Sequence, residues 1–392
     1  MTKTLKQTSA TLIALLSYLA YSCVYLCRLN LSVASVSIKE QGIMNEAELG
    51  ALSGIFLATY AAGKLLLGRV GDKIPPKKLI VSGLFLCGLS NLIFAFFPPT
   101  PFLYLLWMLN GAAQSLIWGP ILRIVSSHFD AERRATVLSF LATCIGVGSI
   151  LGVFAATLGI SLFKTVSAAF FVPAAITLFV TAVFLIFIHE KEEKASAKLP
   201  PLPLKELLSD PAFRRMACPA FMHGVIKDNI NVWMCLFFVS AYNLDLKNLA
   251  FYIFLVPLLT LVGRIIYLPV LRLCKNNENL TASLSLFLTA VFMIALSTGK
   301  LPLSLALICF GGSACMISMA NTTLLSVFPA RYLERGCVSS VASYMDVLTY
   351  SGAALGSVIY GTVCESFGYS PMFLSWFVLA LLSGILLLYK SH

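Results

Sequence analysis

Apolar runs of about 20 residues recur from one end of this 392-residue chain to the other. Each run is long enough to cross the roughly 30 Å hydrocarbon core of a bilayer as an α-helix. Only 11% of the residues are charged, whereas a soluble domain carries about 25%. The first run does not have the form of a cleaved signal peptide. The sequence therefore predicts an all-α membrane protein with twelve transmembrane helices, at residues 10–36, 47–68, 79–97, 101–127, 135–162, 165–188, 212–241, 248–272, 279–298, 302–328, 337–362 and 370–389.

The basic residues predict how these helices are oriented. Loops on the side of the termini hold 19 Lys or Arg, and loops on the other side hold four. Because cytoplasmic loops are enriched in Lys and Arg, we expect both termini in the cytoplasm. The +11 net charge largely reflects this bias, so it does not indicate a nucleic-acid partner. We expect a multi-pass protein of a bacterial inner membrane.

A polar segment divides the chain into two halves of six spans each. The linker at residues 190–211 is rich in charge, Ala, Ser and Pro, and it separates the predicted bundles 1–189 and 212–392. Landmarks recur across it, since Arg28 in the first span corresponds to Lys227 in the seventh, 199 residues later. A repeat in the same orientation predicts two pseudo-symmetric six-helix bundles with a substrate bound between them near the midplane.

Charged residues inside the predicted spans point to the function. Arg28, Lys64 and Lys227 lie deep in spans, together with the carboxylates Asp228 and Asp346. A charge placed at the centre of a membrane helix costs about 2.5 kcal/mol or more, so it needs a compensating role. Three cations against two acids predict an anion site that awaits its ligand, in which Arg28 and Lys227 face each other across the cavity. The alternative is a buried ion pair that only locks helices together.

The helix faces around these cations are polar. Tyr21, Tyr25 and Arg28 follow at i, i+4 and i+7 along one stripe of the first span. His223, Lys227 and Asn231 follow at steps of four in the seventh span. We expect these six residues and Lys64 to bind the substrate, although the tyrosines could equally be interface aromatics and His223 a packing residue. Asp228 and Asp346 are candidates for proton coupling.

Other classes of site find little support. The eleven cysteines are scattered singly, without the paired spacing of a metal site or a disulfide framework. There is no arrangement of a nucleophile with a base, so we expect no enzyme activity, no cofactor and no metal. The expected partners are a small anionic substrate, organic or inorganic phosphate, and the membrane lipid, with the protein acting as a monomer.

The stretch GRVGDKIPPKK at residues 68–78 resembles the loop between helices 2 and 3 of the Major Facilitator Superfamily. The loop pattern is a glycine, an acid four residues later and a basic cluster, with Pro75 here in place of a usual glycine. The resemblance implies a gating role on the cytoplasmic side for Gly68, Asp72 and Lys73.

Three further stretches resemble the organophosphate:phosphate antiporters of that superfamily. These are YSCVYLCRLN around Arg28, LNGAAQSLIWGPILR at residues 109–123 and KDNINVW from Lys227. The resemblance implies that Arg28 binds phosphate and that Lys64 lies in the substrate cavity. A second phosphate-binding arginine of the family is Lys227 here, which keeps the charge but loses the bidentate fork. A helix 5 histidine of one member falls near Ile145, so a preference for glycerol phosphate does not carry over.

Together these features predict a secondary transporter that exchanges an organic phosphate, or a similar small organic anion, for inorganic phosphate by alternating access. A phosphate ester carries about −1.5 to −2 charges at neutral pH, which suits one Arg and two Lys. Two alternatives stay open. One is a proton-coupled symporter or exporter of organic anions, and the other is a membrane sensor of a phosphate ester.

Overall fold

The computed structural model describes residues 10–70, 74–129, 133, 137–138, 140–141, 143–188, 204–244, 246–332 and 338–388. Throughout these residues the regular structure is helical. The helices are α1 (Ala10–Glu40), α2 (Glu46–Val70), α3 (Pro76–Phe94), α4 (Thr100–Ser115), α5 (Trp118–His128), α6 (Cys144–Phe163), α7 (Ala168–Phe187), α8 (Leu204–Ser209), α9 (Pro211–Tyr242), α10 (Leu246–Leu273), α11 (Glu278–Ser297), α12 (Leu303–Thr322), α13 (Phe328–Ala330), α14 (Val338–Phe367) and α15 (Ser370–Leu388). A π-helical turn, Thr323–Val327, joins α12 to α13.

In the described part of the chain, ten helical segments are long and apolar enough to cross a membrane. The other two predicted spans are helical as well. The seventh is the 32-residue α9, whose Lys227, Asp228 and asparagines make it less apolar. Large side chains such as Phe179 and Leu162 are 69% and 67% exposed, as expected for surfaces that face lipid rather than water.

The fourth predicted span, 101–127, is interrupted, which corrects the prediction of one continuous helix. It consists of α4 and α5, with a turn at Leu116 and Ile117. Because Pro120 has no backbone N–H, the carbonyl of Leu116 loses its usual partner. The amides of Leu116 and Ile117 accordingly bond three residues back, to Ala113 and Gln114.

Two compact units emerge from the packing, one comprising Met1–Asn30 with Leu66–Lys198 and the other Leu31–Leu65 with Leu199–His392. Unit boundaries thus fall inside α1 and α2, at positions that no sequence pattern indicated. The predicted domain limits, 1–189, 190–211 and 212–392, stay a prediction. Within the predicted linker, residues 204–209 form the short helix α8, and residues 190–203 lie outside the described part.

In the first unit, a buried amide network surrounds the backbone carbonyl of Cys27 in α1. That oxygen accepts hydrogen bonds from Nδ2 of Asn110 at 2.8 Å and Nε2 of Gln114 at 3.4 Å. Asn91 Oδ1 accepts a further bond from Asn30 Nδ2, at 2.8 Å. All four side chains are fully buried. The network therefore ties α1 to α3 and α4 next to Arg28.

In the second unit, α9 and α14 pack backbone against backbone at two glycines. A Cβ atom on Gly224 would overlap the carbonyl of Thr349, and one on Gly352 would overlap the carbonyl of Phe221. Only glycine permits so close an approach. The contact fixes the register between the helix that carries Lys227 and the helix that carries Asp346.

A buried carboxylate at the start of α2, in the second unit, connects the end of α1 to the residue before α15. Glu46 is 3% exposed, forms an ion pair with Lys39 and accepts a hydrogen bond from the Tyr369 hydroxyl at 2.9 Å. Burial, followed by the charge of Glu46, raises the pKa of Tyr369 well above its ordinary value. Tyr369 therefore remains a neutral donor to Glu46 over the physiological pH range.

Replacing Asn110 by leucine should lower the stability of the protein. The Cys27 carbonyl would lose its shortest side-chain donor, and Gln114 would lose the acceptor that Asn110 Oδ1 provides at 3.1 Å. Leaving such buried groups unsatisfied costs about 1–3 kcal/mol. We expect the thermal unfolding midpoint of the detergent-purified Asn110→Leu protein to fall by several degrees.

Ser115→Ala is the matched control, since Ser115 is also buried in α4 but bonds only the carbonyl of Ala112 in its own helix, at 2.6 Å. Its midpoint should change little. Equal midpoints for the two variants would contradict the role assigned to the amide network.

Candidate functional site

Arg28 lies in the middle of α1, close to the residues against which α6 packs. Glycines of α6 allow this packing, because Cβ atoms on Gly148 and Gly152 would lie 2.9 Å from Ser22 Cα and 2.7 Å from the Tyr25 carbonyl oxygen. The Arg28 side chain is half-buried, and its guanidinium carbon lies 5.7 Å from the centroid of the Tyr25 ring. A cation and an aromatic face at this distance attract each other. The predicted association of Arg28 with Tyr25 is therefore present.

Tyr21 occupies a different environment from Tyr25. It is 5% exposed, and its ring lies 4.4 Å from the Trp118 ring and 5.8 Å from the Tyr25 ring, measured between centroids. It belongs to a buried apolar cluster, against which the partly buried Tyr25 packs. Tyr21 therefore lies deeper in the helix packing than Tyr25, which is the more accessible of the two rings.

Lys227 lies in α9, three residues beyond the Gly224 contact with α14. Its Nζ lies 4.8 Å from the centroid of the Tyr350 ring and 3.1 Å from Asp228 Oδ2. The two side chains are 21% and 16% exposed. Among the described residues, Asp228 Oδ2 nevertheless has no partner in hydrogen-bonding geometry. The ion pair is thus close but poorly aligned.

Lys64, near the end of α2, pairs with a different carboxylate. Its Nζ donates a hydrogen bond to Asp346 Oδ2 of α14 at 2.9 Å, with side chains 17% and 27% exposed. Lys64 also lies 5.4 Å from the centroid of the Tyr60 ring, and that ring lies 4.6 Å from Tyr350. Tyr60 was not predicted, although it precedes Lys64 by one helical turn on the same face.

These contacts form a continuous row of side chains within the second unit, which we call the ion-aromatic row. In order, it consists of Asp346, Lys64, Tyr60, Tyr350, Lys227 and Asp228. The sequence predicted that its lysines contribute excess positive charge. In the structure each lysine has an aspartate beside it, so the row as a whole is formally neutral.

The remaining predicted residues of α9 are placed as follows. His223 is fully buried, and its Nε2 lies 3.2 Å from Asn321 Oδ1, while Nδ1 has no partner among the described residues. Asn231 is half-buried, and its backbone carbonyl accepts a hydrogen bond from the Ser32 hydroxyl. His223 therefore lies deeper in the helix packing than Lys227, and Asn231 is more accessible.

Of the predicted gating residues, Gly68 lies near the end of α2, and Asp72 and Lys73 lie outside the described residues. Among the residues that the structure describes, no cluster of His, Cys, Asp and Glu could hold a metal ion.

Comparison with known proteins identifies the family. The model of the Major Facilitator Superfamily matches residues 12–345. The chain is 29% identical over 189 residues to the glycerol-3-phosphate transporter of Bacillus subtilis, an alignment that spans 47% of this chain and 42% of that protein. It is 25% identical over 403 aligned positions to the phosphoglycerate transporter protein of Salmonella typhimurium, spanning 92% of this chain and 83% of that protein. The mouse sugar phosphate exchanger 3 is 27% identical over 36% of this chain and 35% of that protein.

Solved structures share the fold at low sequence identity. The nucleoside transporter NupG superimposes with a TM-score of 0.75 at 17% identity, covering 97% of this chain and 99% of that one. A bacterial homologue of the human lysosomal transporter Spinster superimposes with a TM-score of 0.75 at 12% identity, covering 96% and 94% of the two chains. With the family match over most of its length, this chain belongs to the Major Facilitator Superfamily, as its helix and loop motifs predicted.

Proposed function

We propose that this protein is a secondary transporter that exchanges an organic phosphate ester, or a similar small organic anion, for inorganic phosphate by alternating access. The observation that carries the proposal is Arg28, whose half-buried side chain lies beside Tyr25 in the middle of a transmembrane helix. A guanidinium presents a planar fork of donors that matches phosphate oxygens. Relatives named for phosphate esters support the same substrate class.

In this mechanism Arg28 supplies fixed, bidentate hydrogen bonds to the phosphate, and Lys227 supplies a mobile point charge. The poor alignment of Lys227 with Asp228 supports this role, because such a pair yields readily to a competing anion. Tyr25 and Asn231 orient the rest of the substrate. We assign Tyr21 and His223 to the support of these side chains.

Exchange, rather than net flux, follows from the cost of desolvating charge. Closing a cavity removes water from the charged side chains that bind the substrate, which costs several kcal/mol per ion, and a bound anion offsets part of that cost. The carrier should therefore reorient slowly when empty and rapidly when either phosphate or an ester is bound. We further propose that both termini are cytoplasmic, that the protein is a monomer of a bacterial inner membrane, and that Gly68, Asp72 and Lys73 gate its cytoplasmic side.

Proton-coupled transport of an organic anion is the second candidate. It is favoured by the partly exposed carboxylates of Asp228 and Asp346, since a carboxylate that leaves its lysine could take up a proton. Such a carrier would use the pH gradient, whereas an obligatory exchanger would not need it.

Liposomes containing the purified protein separate these candidates. When they are loaded with inorganic phosphate, we expect uptake of labelled phosphate from outside that continues without a pH gradient and stops without internal phosphate. Uptake that needs the gradient would establish symport. Tight binding without uptake would establish a sensor, and either result would overturn the proposed exchange.

Arg28→Lys should reduce phosphate exchange to about one hundredth or less of the wild-type rate. Lysine keeps the charge but loses the bidentate fork, and charge-assisted hydrogen bonds contribute about 1.5–3 kcal/mol each. Initial rates of exchange, normalised to the amount of protein in the liposomes, measure this effect.

Arg123→Lys is the control, because Arg123 lies in α5 and donates a hydrogen bond to the carbonyl of Ile74, at 3.1 Å. It should retain most of the exchange rate. Near-normal exchange by the Arg28→Lys protein would argue against the phosphate-binding role of Arg28.

A further inference from the structure

The two lysines of the ion-aromatic row differ in how firmly they are engaged. Lys64 donates a 2.9 Å hydrogen bond to Asp346, which reaches it from another helix. Lys227 lies beside Asp228 of its own helix, where the contact lacks hydrogen-bonding geometry. Neighbouring residues on a helix do not face the same direction. Lys227 is therefore the lysine that a ligand can capture, and Lys64 is already occupied.

A carboxylate that is part of the protein has a high effective concentration at its partner. A second anionic group of a substrate that reaches Lys64 must displace Asp346 from it or lie close to an aspartate, which repels it. A hydroxyl group meets no such obstacle, because the 27% exposed Asp346 side chain can accept a hydrogen bond from it. Asp346 thus repels an anionic group of a substrate and accepts a hydrogen bond from a neutral hydroxyl group.

We infer that Asp346 is a specificity-determining residue, which selects phosphate esters with an uncharged, hydroxyl-bearing body and disfavours esters that carry a second anionic group. This inference rests on the proposed function, in which Arg28 and Lys227 bind the phosphate. Lys64 then serves to hold the carboxylate of Asp346 in place rather than to bind phosphate.

Two esters test the inference because they differ at one group. Glycerol 3-phosphate has a hydroxymethyl group where 3-phosphoglycerate has a carboxylate. Each ester is used to inhibit the uptake of labelled phosphate into phosphate-loaded liposomes. The wild-type protein should be inhibited at lower concentrations of glycerol 3-phosphate. In Asp346→Asn the ratio of the two inhibition constants should shift toward 3-phosphoglycerate by about tenfold or more, which corresponds to about 1.4 kcal/mol.

Two further variants distinguish charge from other causes. Lys64→Gln combined with Asp346→Asn restores a neutral pair, so its ratio should return toward the wild-type value even if the single variant is unstable. Glu365→Gln makes the same change of charge in α14, about 28 Å along the helix axis from Asp346, and it should leave the ratio unchanged.

The outcomes separate the inference from the proposed function. Exchange with an unchanged ratio in Asp346→Asn, or a wild-type preference for 3-phosphoglycerate, would overturn the inference and leave the proposed exchange intact. Absence of any exchange by the wild-type protein would overturn the proposed function. If the wild-type protein shows no exchange, the inference is tested on the purified protein by the shift of the thermal unfolding midpoint that each ester causes. Failure of both esters to shift the midpoint would overturn the inference as well.

Discussion

The close approach of α9 and α14 at Gly224 and Gly352 is the contact on which the candidate site in the second unit depends. It allows the Lys227 ammonium group to lie over the Tyr350 ring of the facing helix. Tyr350 in turn contacts Tyr60 of α2, and Tyr60 contacts Lys64. A side chain at either glycine would push the helices apart and break this row at its centre. Packing of the smallest residues thus determines where the charges of the site lie.

The helices accommodate charged side chains because these side chains are paired and remain partly exposed. The four charged side chains of the ion-aromatic row are between 16% and 27% exposed. A fully buried pair would lose hydration that its mutual attraction hardly replaces, and a fully exposed pair would contribute little. Partial exposure keeps these pairs stable and, in the mechanism that we propose, leaves them open to exchange with a substrate. A transporter needs both properties, since it must release what it binds.

Sequence patterns predicted the fold well, because membrane helices carry their own signature of length and apolarity. They also predicted that Arg28 and Lys227 occupy equivalent points of the two halves, which stays a prediction. They did not predict which acid accompanies which lysine, since the contact between Lys64 and Asp346 joins residues 282 positions apart. They also missed the interruption at Leu116 and Ile117, because the apolar run at residues 101–127 is continuous through it. The grouping of residues 31–65 with the second unit depends on packing between helices, which no local pattern records.

The contacts of Lys227 suggest a physical reason for a lysine at this position, where the family resemblance leads us to expect an arginine. An arginine there would hold a phosphate in fixed bidentate geometry, and it could also hold Asp228 in the same way. A lysine has three donors on a flexible stem, so it can move from Asp228 to a ligand without a fixed angle being lost. In the mechanism that we propose, Arg28 then provides the directional bonds and Lys227 the charge that moves with the substrate. Under that proposal geometric selection lies on α1, and the neighbouring carboxylates of the second unit limit how much negative charge a substrate can bring.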